Sequence, residues 1–220
     1  MRYALRAGLS FCAVEERLLF LDLPADRYFC LGPQAERAFA RLYRNEVLEA
    51  SDRSRLARLA DAGLLIAGDQ PPPIVPCLSP HAPTHSLIDM PATALRAPGQ
   101  ALALVHFMLA RIELRFAGLA CALARAGRRK QRLHARATPA GIAGVAAAFE
   151  ACNALVSAHD RCLPRSLAVA HRLMAIGARP ELVLAVKLGP FKAHAWVQCG
   201  EALVNERVEV ARRFTPILIL

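Results

Sequence analysis

Aromatic side chains make up only 6% of the 220 residues, and no stretch of about twenty residues is apolar and free of charge. The first scarcity argues against an all-β sandwich, because the apolar surface is mostly Ala, Leu and Val, which suits helices and a few short strands. The second argues against a membrane-spanning helix: the run from Ala101 meets Arg111, and the one from Gly141 carries Glu150. No Cys-x-x-Cys pair occurs among the seven cysteines, an odd number that fits reduced thiols better than a disulfide framework. No glycine-rich loop of the phosphate-cradling kind is present, and no cofactor is expected. The opening residues run into Glu15, Glu16 and Arg17 rather than into an apolar signal segment, and a cytoplasmic location is expected.

What is present is 55% hydrophobic content, enough to bury a core, and a net charge of +10 that is unevenly placed. Residues 1–70 hold ten basic and ten acidic side chains, so the whole excess lies in residues 71–220. Phosphate contacts supply most non-specific DNA affinity, so the neutral first part is not expected to bind nucleic acid. The densest basic run, Arg125 to Arg136, reads as a solvated helix end or loop, or as a dock for an acidic partner. Cys77, His81 and His85 are spaced four apart in a proline-rich stretch without an evident fourth ligand, so a polar linker is expected there and no metal.

Prolines crowd the chain from Pro71 onward, which places a linker at 71–95 between units at 1–70 and 96–220. Upstream, Leu9–Val14, Leu18–Leu23 and Arg27–Leu31 read as three short strands. Pro33 starts a helix, Ser51 caps a second that Gly63 ends, and Leu64–Ile66 closes the unit as a strand or wing. That order has the outline of a winged helix-turn-helix. An exposed strand beside a helix can capture a peptide as an added strand, and Arg27, Tyr28, Phe29, Cys30 and Leu31 are the candidate edge. The same residues also fit an ordinary buried strand with Tyr28 and Phe29 on opposite faces.

Downstream, helical spacing predicts helices over 99–127 and 141–157. A third begins at Cys162, with Pro164 in its first turn and Gly177 as its stop. A cysteine at a helix N-terminus meets free N–H groups and the helix dipole, which favour a thiolate and suit a nucleophile; a small buried apolar residue is the other reading. Alternation then predicts strands over Glu181–Leu188, Phe191–Cys199 and Ala202–Glu206. A three-residue loop centred on Gly200 would set His194 opposite Glu206, and a two-residue loop at Cys199 and Gly200 would set Asn205 opposite it. Either residue can orient an imidazole. Trp196 shares the face of His194 and would shield it from water.

Cysteine on a helix, histidine on a strand and an acid or amide after it follow the order of papain-like and transglutaminase-like enzymes. The segments Cys162-Leu-Pro-Arg-Ser-Leu-Ala168, Phe191-Lys-Ala-His-Ala-Trp-Val197 and Val204-Asn205-Glu206 resemble the transglutaminase-like leader peptidases of lasso peptide biosynthesis, the B proteins. The resemblance is close over 162–216. Residues 1–70 resemble, by outline, the PqqD-like recognition element that binds a leader segment as an added strand.

The resemblance implies an α+β protein with a PqqD-like winged unit and a papain/transglutaminase-like cysteine peptidase unit. It implies hydrolysis of the leader–core amide bond of a ribosomally made precursor peptide, ahead of macrolactam closure by an ATP-dependent lasso cyclase. Cys162 carries over as nucleophile and His194 as general base and acid. The family usually has Asp where Glu206 stands, so Glu206 or Asn205 fills the third place. The backbone N–H of Cys162 is the natural oxyanion donor. The alternatives are acyl transfer to an amine on the same fold, a non-catalytic peptide-binding adaptor, and a DNA-binding regulator.

Overall fold

The computed structural model describes residues 2–78, 81–90, 97–134, 136–152 and 162–220. The chain divides into two units, Met1–Leu78 and Ser79–Leu220.

The first unit runs β1 (Arg2–Leu5), β2 (Leu9–Val14), β3 (Arg17–Asp22), β4 (Arg27–Cys30), α1 (Pro33–Tyr43), α2 (Ala50–Asp61) and β5 (Leu65–Gly68). Strands β2, β3 and β4 form an antiparallel meander whose register sets Phe11 opposite Phe20 and Phe20 opposite Phe29. One ring therefore follows another across the sheet, at centroid separations of 5.6 Å and 5.3 Å. Phe39 of α1 meets Phe11 and Phe20 edge-on, each at 5.1 Å. These contacts fix α1 on the meander by burying the largest apolar surfaces of the unit. Buried Glu36 of α1 also accepts from the Leu18 N–H and from Arg17 Nε, tying the helix to β3. Phe20→Ala is expected to destabilise this unit by about 3–5 kcal/mol. The check is its unfolding transition in denaturant, and an unmoved transition would contradict this packing.

Two local readings change. The second helix starts at Ala50 with Glu49 as its N-cap, not at Ser51. Glu49 and Asp52 cap reciprocally, and Arg41 Nη1 lies 2.8 Å from a carboxylate oxygen of each, so the charge network outcompetes the Ser51 hydroxyl. Strand β1 was not anticipated; it pairs antiparallel with β5. The described part of the proline-rich stretch before the division packs on the first unit. Ile74 is buried in the core of the first unit, and the Cys77 N–H donates to Phe11 O of β2 at 2.7 Å.

The second unit comprises β6 (His85–Ser86), a 3-10 turn (Leu87–Asp89), α3 (Ala97–Gln131), α4 (Pro139–Ala151), α5 (Cys162–Ala175), β7 (Glu181–Lys187), β8 (Lys192–Cys199), β9 (Ala202–Leu203), α6 (Val208–Ala211) and β10 (Thr215–Ile219). Its sheet has the order β10-β7-β8-β9-β6, antiparallel except for the parallel β6–β9 pair. Helix α3 breaks at Gly118, whose φ of 74° is a conformation that glycine adopts without strain. His171 of α5 bonds Glu113 of α3 at 3.1 Å, joining the two helices. Arg125 to Lys130 of the basic run form the end of α3, and Lys130 donates to the Leu220 carbonyl at 3.0 Å. The expected continuation of α4 to Ser157 lies outside the described residues.

The turn after β8 corrects the expected register. Cys199 pairs with Ala202 and Gln198 with Leu203, so Gly200 and Glu201 form a two-residue loop. Strand β9 stops at Leu203; the Val204 N–H still donates to Val197 O at 2.9 Å, and residues 204–206 form a bend instead of continuing as a strand. Among the described residues, no helix is long and apolar enough to cross a membrane.

Candidate active site

Cys162 is the first residue of α5, a helix whose inner face (Leu167, Val169, Ala170, Leu173) is fully buried and so fixes the helix against its surroundings. Ser166, one turn on from Cys162, anchors α5 to the sheet. Its hydroxyl donates to Ala195 O at 2.9 Å and accepts from Asn205 Nδ2 at 2.9 Å, while Asn205 Oδ1 accepts from the Val197 N–H at 2.7 Å. Both side chains are buried, where an unmade hydrogen bond is costly. This bridge holds the start of α5 beside the stretch of β8 that carries His194.

The imidazole of His194 is hydrogen-bonded to the Cys162 side chain on one side and, through Nε2, to Glu206 Oε2 at 2.6 Å on the other. Cys162, His194 and Glu206 thus form one chain of contacts. Glu206 reaches His194 from the bend after β9 rather than from a paired strand position. Two bonds hold it there: Ser86 Oγ donates to its carbonyl at 2.7 Å, and its Oε1 accepts the Arg207 N–H at 2.9 Å. Asn205 faces the other way, with both amide atoms engaged in the Ser166 bridge.

Burial alone would push the Cys162 thiol up, but the hydrogen bond and charge of His194, with the backbone N–H groups of Ala195 and Leu163, bring it below its ordinary value. Burial would likewise lower His194; its bonds to Cys162 and Glu206 and their negative charge raise it to about 9. Glu206 moves below the usual carboxylate range in spite of its burial, because His194, the Arg207 N–H and the charge of Arg165 favour the anion. All three shifts favour a thiolate–imidazolium pair with a carboxylate behind it near neutral pH.

The surroundings limit water without closing the site. The side chains of His194 and Glu206 are 18% and 19% exposed, and Cys162 is half-buried. The His194 ring is flanked by Phe214 at 5.0 Å and by Trp196 at 6.3 Å between centroids. Trp196 is itself buried and donates to Gln198 Oε1 at 3.1 Å. Ser86, Ser166 and Phe214 were not read from the sequence as parts of this site. Among the described residues, no group of three or more His, Cys, Asp or Glu side chains gathers to hold a metal; His81 faces Glu181 instead.

Residues 101–219, which carry the helix-borne cysteine, the strand-borne histidine and the acid beyond the sheet, match the transglutaminase-like superfamily. The chain belongs to the transglutaminase-like superfamily. Members of the superfamily include cysteine peptidases and acyltransferases, and its fold is compatible with a cysteine hydrolase. The matched transglutaminase-like residues contain Cys162, His194 and Glu206 together with the Ser166–Asn205 bridge. No curated protein and no solved structure matches the chain.

The bridge makes a prediction that separates the two acceptors. Asn205→Ala strands the Val197 N–H and part of the Ser166 hydroxyl, and is expected to destabilise the protein by about 1–3 kcal/mol. The alkaline limb of its pH–rate profile should stay where it is in the wild type. A shifted limb would show that Asn205 acts on His194 directly.

Proposed function

We propose that this chain is a cysteine leader peptidase of lasso peptide biosynthesis: its first unit binds the leader of a precursor peptide, and its second hydrolyses the leader–core amide bond. The observation that carries the reading is the contact chain Cys162–His194–Glu206 at the start of a helix in a transglutaminase-like domain. Its order and side-chain roles are those of an activated nucleophile, a proton carrier and an orienting anion.

The Cys162 thiolate attacks the scissile carbonyl, and the tetrahedral oxyanion forms near the Cys162 N–H, which at the first helical position has no carbonyl of its own helix to serve. As the C–N bond breaks, the His194 imidazolium gives its proton to the leaving amine, which becomes the N-terminus of the core. The leader is left as a thioester on Cys162. Neutral His194 then takes a proton from water as that water attacks, and the leader departs with a free carboxylate while the thiolate–imidazolium pair is restored. Glu206 keeps the imidazole in place and stabilises its charged form through both steps.

For the leader, the support lies in β4. Among the described residues, β4 pairs with β3 alone, and on the far side of the meander the Cys77 N–H already bonds to β2. Arg27 and Cys30 are exposed, while Tyr28 and Phe29 are half-buried, with Phe29 stacked on Phe20. A leader added to Arg27–Leu31 would gain main-chain hydrogen bonds on a strand already fixed by the aromatic row. The winged, PqqD-like character of this unit and the partnership with an ATP-dependent cyclase belong to this proposal.

The test uses synthetic leader–core peptides from short reading frames beside this chain's gene, with and without the neighbouring cyclase. Two fragments whose masses sum to the substrate plus one water support the reading. Binding without cleavage in every combination contradicts the peptidase and favours an adaptor, whereas a peptide joined to an added amine favours acyl transfer.

A further inference from the structure

Where β4 ends, the chain passes through Leu31 into the start of α1, and a groove of about 590 Å³ opens there. Its lining includes Gly32 and Gln34 at the head of α1, Arg37 one turn on, and Arg55, Arg58 and Leu59 of α2. Three guanidinium-bearing residues thus share one groove in a unit whose overall charge is close to zero.

Their charge is poorly compensated. Among the described residues the one carboxylate ion-paired with any of the three is Asp52, which lies 3.8 Å from Arg55 Nη1 but 2.8 Å from Arg41. Arg55 is further held by Gln34 Oε1, 3.1 Å from its Nη2, while its Nε is buried with no hydrogen-bond partner. A buried donor without an acceptor is costly in a folded chain, and here it stands in the wall of a groove. Arg37 and Arg58 are exposed. Gly32 caps α1 without a side-chain acceptor, so the positive end of the helix dipole adds to the same potential.

We infer that this groove is a subsite for an acidic side chain, an Asp or Glu of the leader peptide, recognised by Arg37, Arg55 and Arg58. The inference rests on the proposal that a leader adds to β4, and it names one chemical feature that the leader must carry. The groove's lining begins at Gly32, two positions after β4 ends at Cys30, so a peptide paired along β4 has the groove at one end of its path. Carboxylate–guanidinium bonds there would be charge-assisted, and Leu59 and Ala35 offer apolar contact to the methylene of the incoming side chain.

The experiment measures binding of fluorescein-labelled leader peptides, without the core, to the whole 220-residue chain by anisotropy. The leaders come from the reading frames beside the gene, each with and without every Asp and Glu changed to Asn and Gln. The double variant Arg37→Gln, Arg58→Gln is compared with wild type; both positions are exposed, so folding should be unaffected. About a tenfold loss of affinity is expected for the variant, and a similar loss for the amide leader on wild type. Combining the two should cost no more than either alone, because both remove the same contact.

Leader binding that neither change weakens overturns the subsite and leaves the leader reading standing. Losses that simply multiply overturn it as well. Wild type that binds no leader overturns both. Duplex DNA that competes with the leader at physiological salt, and loses binding in the double variant, assigns the arginines to phosphate and also overturns the inference.

Discussion

Replacing Cys162 by Ala is expected to reduce precursor cleavage by more than about 10⁴-fold while leaving leader affinity unchanged. The magnitude follows from the role: without the sulfur no thioester forms, and what remains is binding and any oxyanion stabilisation, which in comparable nucleophile deletions is a small residue of the full rate. Binding is spared because Arg27–Leu31 and Cys162 belong to separate units. His194→Ala should fall nearly as far, and the double variant no further, since the two residues act as one device. The measurement is product mass over time beside leader anisotropy for each folded variant. Parallel loss of binding and cleavage would contradict the division of labour.

Glu206→Gln is expected to lower kcat by about 10²-fold and to move the alkaline limb of the pH–rate profile to lower pH. The sign follows from the charges around His194. The active form needs Cys162 deprotonated and His194 protonated, so rate is lost on the acid side as the thiolate takes up a proton. It is lost on the alkaline side as the imidazolium gives one up near pH 9. Removing the Glu206 charge takes away one of the influences that raise His194, and burial then pulls it down. The acid limb stays close to its wild-type place, because His194 is already protonated there and goes on holding the Cys162 thiol low, so the active range narrows from its alkaline side. Both limbs belong to the coupled pair. A profile unchanged in position would contradict the role given to Glu206.

Much of this arrangement was legible because it is local. Pro164 and Gly177 bracket a helix that begins at Cys162, and the alternation from Lys192 to Cys199 puts His194 on a strand. The three strands of the first unit and the helix at Pro33 follow from the same short-range signals. What was missed is long-range. Ser86 reaches Glu206 through a parallel pair between segments more than a hundred residues apart, and nothing in Thr84-His85-Ser86 announces that pairing. Phe214 arrives beside His194 from beyond α6. Glu206 was named for a cross-strand position it does not occupy: the loop is Gly200–Glu201, the ladder ends at Leu203, and the longer acidic side chain closes the gap from a bend. Asn205 was named from the same register argument, whereas the buried hydroxyl of Ser166 gives its amide a partner on α5. The cap at Glu49 was hidden for a related reason, since its strength comes from Arg41 on the preceding helix.

The most direct test of the central claim is a single-turnover reaction of the protein with a leader–core peptide, quenched in acid within the first turnover and read by intact mass. The account predicts a transient species heavier than the enzyme by the leader acyl group, mapped to Cys162 by digestion, that decays as free leader acid appears. Cleavage that proceeds with no such adduct, and at the same rate in Cys162→Ala, would contradict it.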